Sequence, residues 1–177
     1  LRTFITDDEH RDEMVAHVYD TTYEVIRKGI DTLVVIDDSI VRGTTLEKSI
    51  LKMLDRLGPK KIVVVSSAPQ IRFPDCYGID MSKMGDFLAF RAMIGLLKDQ
   101  GKDYLLGEIY EKCVRAKNQQ TQQNYVKLLY DQFSNEDLSR KISEIVKPAG
   151  MKAEVTVVFQ TVENLHKGTD DVARPGQ

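Results

Sequence analysis

Leu33-Val34-Val35-Ile36-Asp37-Asp38-Ser39-Ile40-Val41-Arg42-Gly43-Thr44-Thr45 decides how the rest of this chain is read. Four apolar residues run into two adjacent carboxylates, a short loop turns through Gly43, and an amphipathic helix begins. A buried strand of this kind places acids and phosphate-binding groups at the carboxyl edge of a sheet, where open α/β folds hold their ligands. Carboxylates there suit hydroxyls and a cation. Backbone N–H groups at a helix N-terminus, with threonine hydroxyls, suit a phosphate.

Outward from that stretch helix and strand alternate. Thr44 and Glu47 have capping-box spacing, and Leu46, Ile50, Met53, Leu54 and Leu57 share one helical face until Gly58-Pro59 ends it. Lys61-Ile62-Val63-Val64-Val65 then reads as a second buried strand, so strand, helix and strand form a βαβ unit with parallel strands. A proline-punctuated loop over 69–80 leaves the same sheet edge as Asp37 and Asp38. Helices are expected over 82–98, 103–116 and 124–133, with a last one opened by Asn135 or Glu136-Asp137 and reaching about Val146. Residues 154–162 read as a strand. From Lys167 on the chain reads as a loose tail. The segment 9–28 is compatible with helix or strand, and 118–124 is a polar low-complexity stretch.

The bulk numbers narrow the classes. At 177 residues the chain holds one domain or most of one, and 42% hydrophobic with 29% charged residues is ordinary globular composition. A net charge of −2 leaves no basic excess to displace counterions from a nucleic acid. Lys60-Lys61 and Arg140-Lys141 read as solvated faces. No apolar run approaches the ~20 residues that span a bilayer, and no secretory signal opens the chain. Leu1 stands where an initiator methionine would, which favours a piece of a longer protein. Cys76 and Cys113, with the scattered His10, His17 and His166, lack metal-ligand spacing and fit reduced cytosolic cysteines.

Asp37 and Asp38 alone would fit a solvated strand end, a response-regulator phosphoacceptor or a magnesium-dependent phosphatase. Neighbouring strand residues point to opposite faces, so the two acids share a task only if the chain turns there. A turned pair embraces a vicinal diol with a magnesium ion nearby. Gly43 lets the backbone approach a phosphate, Thr44 and Thr45 add donors, and Arg42 faces either the phosphate or solvent. The loop lacks the Walker pattern and is too short for a pyrophosphate.

The stretch 34–45 resembles the phosphoribosyl-pyrophosphate (PRPP) signature of type I phosphoribosyltransferases, in the form carried by the amidophosphoribosyltransferase family. Ala68-Pro69-Gln70-Ile71-Arg72-Phe73-Pro74 and Tyr77-Gly78-Ile79-Asp80-Met81 resemble the family's next segment, and Arg2-Thr3-Phe4-Ile5 the end of its closing loop. The likeness is strong over 32–82, weaker over 83–116, slight over 145–162, and absent over 117–144.

The resemblance implies a partial, Rossmann-like parallel α/β fold with helical C-terminal additions: the C-terminal part of a phosphoribosyltransferase domain over 1–116, a helical extension and closing strand over 117–163, and a flexible tail over 164–177. It implies that Asp37 and Asp38 hold the ribose hydroxyls and magnesium. Ser39, Ile40, Val41, Arg42, Gly43, Thr44 and Thr45 would hold the 5′-phosphate, and Arg2 would act from the closing loop. The implied reaction displaces pyrophosphate from PRPP by ammonia drawn from glutamine, giving phosphoribosylamine for purine synthesis. The implied setting is a cytoplasmic homo-oligomer inhibited by purine nucleotides, binding neither nucleic acid nor membrane. The glutaminase half and the pyrophosphate loop would lie upstream of Leu1, so this piece alone would be inactive. His17 replaces a lysine common in the family. Cys76 sits one place from the cluster cysteine of some members and the downstream pair is missing, so no iron–sulfur cluster is expected. A base-salvage phosphoribosyltransferase and a non-catalytic PRPP or nucleotide sensor are the alternatives.

Overall fold

The computed structural model describes residues 26–75, 81–119 and 123–172. Three strands, β1 (Thr32–Asp37), β2 (Lys61–Ser66) and β3 (Glu154–Phe159), form one parallel sheet in the order β1-β2-β3. Val35, Val64 and Val157 lie side by side in register, and Asp37, Ser66 and Phe159 end the strands together. The α/β class and the parallel β1–β2 pair are as the βαβ pattern requires.

Between β1 and β2 the chain is helical from Thr44, passing through a π-helical turn, Leu46–Ile50, into α1 (Leu51–Arg56). Five further helices follow: α2 (Leu88–Asp99), α3 (Tyr104–Asn118), α4 (Lys127–Tyr130), α5 (Asn135–Val146) and α6 (Val162–Val172). The core is one cluster in which Ile62, Val64 and Val157 of the sheet meet Leu51, Met93, Leu97, Leu138, Ile142 and Val146 of the helices. Helix α5 packs against both α2 and β3. Its Ser143 hydroxyl accepts the Val157 N–H at 2.8 Å, which satisfies an outward-facing amide of the edge strand.

Several elements differ from the sequence reading. The strands are not buried on both sides. Burial alternates along β1, and Val34 and Ile36 are 58% and 74% exposed, because the described helices cover one face only. The helix expected from residue 82 starts at Leu88: Met84–Asp86 is a single 3₁₀ turn and Phe87, fully buried, is extended. The helix expected over 124–133 contracts to Lys127–Tyr130. Helix α5 begins with a true capping box, in which Ser134 Oγ accepts the Asp137 N–H at 3.0 Å and the Ser134 N–H donates back to the Asp137 carboxylate. Strand β3 stops at Phe159, and Thr161 Oγ1 then accepts the Asn164 N–H as α6 begins, so helix reaches Val172 where a loose tail was expected.

Lys141 is not on a solvated face. Gly95 of α2 leaves room for its stem, and its ammonium pairs with Asp99 at 2.7 Å and Glu144 at 2.9 Å. Arg2, the rest of 1–5, His17, Cys76 and 77–80 lie outside the described residues. Among those described, no helix is long and apolar enough to cross a membrane.

Candidate phosphate and diol site

The site is built where β1 ends. The Asp37 carbonyl accepts both the N–H and the hydroxyl of Ser67, each at 2.9 Å, and the Asp38 carbonyl accepts the Ala68 N–H at 2.9 Å. These bonds carry the ladder two residues beyond β2, so the turn at the acids is fixed by the loop that leaves the neighbouring strand. Asp37 Oδ1 accepts the N–H of Asp38, and Asp38 Oδ1 accepts the N–H of Ser39. Each carboxylate therefore keeps its second oxygen clear of these local bonds.

Burial holds the Asp37 carboxyl above the usual carboxylate value. The Asp38 N–H pulls the other way and the Asp38 charge adds to the rise. A half-buried acid with a like charge beside it attracts a cation. Among the described residues no cluster of three or more His, Cys, Asp or Glu side chains converges to hold a metal. Two adjacent carboxylates nevertheless fit magnesium, which takes one or two protein carboxylates and completes its octahedron with water and substrate oxygens.

The raised value has a consequence for stability. A carboxyl that holds its proton more tightly when folded stabilises the fold at acid pH, and that contribution is lost as pH rises through the folded value. Asp37→Asn is therefore expected to be more stable than wild type at neutral pH, by up to about 2–4 °C in Tm, with the gap closing toward pH 4. Thermal unfolding of both proteins from pH 4 to 7 checks this. A gap independent of pH would refute it.

The loop then dips into the core at Ile40, which is 6% exposed, so Ile40 has only its backbone to offer a ligand. The Val41 carbonyl accepts the N–H of Leu88 at 2.8 Å, tying the loop to the first residue of α2. Arg42 Nη2 lies 3.9 Å from Asp86 on the turn before α2. Gly43 has φ +71°, a left-handed conformation that a side chain resists, and its carbonyl accepts the Glu47 N–H at 2.9 Å.

This geometry overturns the capping box expected at Thr44. The box needs an extended residue whose hydroxyl folds onto the third amide, but Thr44 is already helical and Gly43 has taken the Glu47 N–H. Thr45 makes no side-chain capping bond, and Gly43 has no side chain to offer one. Thr44 is exposed and Thr45 half-exposed, so both hydroxyls and the first-turn amides stand together at the mouth of the helix. A helix left open in this way receives an anion.

The structure thus brings Asp37, Asp38, Ser39, Gly43, Thr44 and Thr45 to one sheet edge, keeps Ile40 as an anchor, and sets Arg42 beside Asp86. It also shows a group that sequence reading did not assign. Arg72 stacks on Tyr130 with its guanidinium carbon 5.2 Å from the ring centre, and Phe73 meets the same ring edge-on at 5.5 Å. The sequence signal at this group is the resemblance of 68–74 to the family segment that follows the acid motif.

No protein-family profile matches the chain. Individual relatives do match. The amidophosphoribosyltransferase of Escherichia coli K12 is 40% identical over 96 residues, which is 51% of this chain and 19% of that protein. The Pasteurella multocida amidophosphoribosyltransferase is 48% identical over 58 residues, 33% of this chain and 11% of its own length. That of Staphylococcus epidermidis is 36% identical over 121 residues, 58% of this chain and 24% of its own. The chain therefore spans about a quarter or less of the relatives it matches. Over these partial stretches the chain is thus similar to amidophosphoribosyltransferases, and with its parallel α/β sheet it is consistent with the C-terminal part of a phosphoribosyltransferase domain.

Proposed function

We propose that this chain is the PRPP-binding portion of an enzyme that transfers ammonia, released from glutamine, to PRPP in purine biosynthesis. The observation that carries the reading is the uncapped helix mouth at Gly43-Thr44-Thr45 beside the paired carboxylates Asp37 and Asp38. In this reading the first-turn amides and the Thr44 and Thr45 hydroxyls bind the 5′-phosphate. Asp37 and Asp38 accept the ribose hydroxyls and supply carboxylates to magnesium. Magnesium, when bound there, neutralises charge on the diphosphate. The C1–O bond breaks with its electron pair leaving on pyrophosphate, the ammonia lone pair forms the C1–N bond, and the resulting ammonium gives one proton to solvent. Arg2 belongs to the closing segment that excludes water around this step. The whole protein works as a cytoplasmic homo-oligomer, with an upstream glutaminase domain as its ammonia source and purine nucleotides as inhibitors.

The test is calorimetric titration of the chain with PRPP and magnesium, and separately with GMP, alongside Asp37→Asn and Thr44→Ala. PRPP binding in the wild type that falls at least tenfold in both variants supports the reading. Binding unchanged by either substitution would overturn the site. Binding of GMP alone would favour a nucleotide sensor, and pyrophosphate release dependent on a purine base would favour a salvage enzyme.

A further inference from the structure

The loop that fixes the acids is itself fixed from the far side. Immediately after Ser67 and Ala68, whose amides hold Asp37 and Asp38, the chain reaches Gln70. Its Nε2 donates to the Asn135 carbonyl and to Ser139 Oγ, both at 2.9 Å. Its Oε1 accepts from Arg72 Nε at 3.2 Å and Arg72 Nη2 at 2.7 Å. Arg72 Nη2 also donates to Asn135 Oδ1. The Arg72 guanidinium lies over the Tyr130 ring, and the Tyr130 hydroxyl donates to the Arg72 carbonyl at 3.1 Å.

Tyr130 is 1% exposed, so the face of its ring and its hydroxyl are both committed to this loop. Burial pushes its phenol up. The hydroxyl thus stays a neutral donor throughout the working pH range. Gln70 uses its amide as a relay, receiving from the loop's own arginine and giving to the first turn of α5. Such a closed network holds one geometry more firmly than separate bonds would. Its five polar members join residues 58 to 69 positions apart in the chain.

We infer that Gln70, Arg72, Tyr130 and Asn135 are positioning residues that set the Asp37–Asp38 turn through the 67–72 loop, which makes the segment 124–146 part of the binding site's scaffold. The inference rests on the binding reading above, since it assigns these residues to the same site. Tyr130→Phe removes one hydroxyl and leaves the ring. Gln70→Ala breaks the relay from the solvent side, should the tyrosine variant fold poorly. Ile109→Val, a buried change on α3 outside the network, controls for general destabilisation.

The experiment is ¹⁵N–¹H correlation spectroscopy of the full chain, first without ligand and then titrated with magnesium and PRPP. Without ligand, Tyr130→Phe and Gln70→Ala are expected to shift the amides of Ser67, Ala68, Asp38 and Ser39, whereas Ile109→Val leaves them in place. With ligand, the two network variants are expected to bind PRPP about threefold to tenfold more weakly than the control. Shifts confined to the immediate neighbours of the substituted residue would overturn the inference, as would equal shifts in the control. If the wild-type protein shows no PRPP-induced shift over 37–45, the binding reading fails, and the ligand-free spectra still decide whether the network sets the turn.

Discussion

Gly43→Ala should cost the chain about 2–5 kcal/mol of stability and abolish PRPP binding, because strain and a clash act at the same atom. At φ +71° an added Cβ sits in a backbone conformation that L-residues resist. It would also lie 2.8 Å from Leu88 Cδ2 and 3.3 Å from Val146 Cγ1. Neither neighbour has room to yield. Leu88 is 1% exposed and its N–H is held by Val41, and Val146 is fully buried at the end of α5. Relief must come from the loop, so the helix mouth turns away and its amides no longer converge. Gly150 supplies the comparison: its φ is +78°, yet nothing lies within 4 Å of an added Cβ. Gly150→Ala should show the backbone cost alone, about 1 kcal/mol, and leave binding intact. Urea unfolding and calorimetric titration of both variants check this. Equal losses in the two would show that packing around Gly43 is irrelevant.

What the sequence discloses and what it hides divide along physical lines. The βαβ unit is legible because its signals are local: a β-branched run closed by acids, a helical face of five apolar residues, and Gly58-Pro59 as a stop. The candidate site is legible as a place in the fold for the same reason, since the residues from Asp37 to Thr45 are contiguous and the chain turns once. The exposure of Val34 and Ile36 is hidden because valine and isoleucine on both faces say only that a strand could be covered twice. The start of the helix is misread because Thr44-x-x-Glu47 satisfies the capping pattern, whereas the left-handed Gly43 opens the helix one residue early. Ser134, one residue before the expected Asn135, opens α5, because Ser134-x-x-Asp137 obeys the same capping logic and does form its box. The Gln70–Arg72–Tyr130–Asn135 network is illegible in principle: no local pattern links positions more than 50 apart, and each residue alone reads as surface polar or core aromatic.

Leu138→Ala is expected to lower stability by about 2–5 kcal/mol, the range for a leucine truncated in a core that cannot collapse around the gap. Leu138 is fully buried on α5, with Ile142 and Val146 on the same face, and this face meets α2 and β3. The consequence reaches further than the cavity. One end of α5 carries Asn135 and Ser139, which hold Gln70, and the other carries Val146, which lies against Gly43. The helix thus braces the acid turn and the Gly43 loop at once, and loosening its middle weakens both. Leu128→Ala removes the same number of atoms from a side chain that is 45% exposed and should cost well under 2 kcal/mol. Urea unfolding at a constant m-value separates the two. If Leu138→Ala lowers the midpoint no more than Leu128→Ala does, α5 is an appendage of the sheet and not its brace, and the link between its packing and the site falls with it.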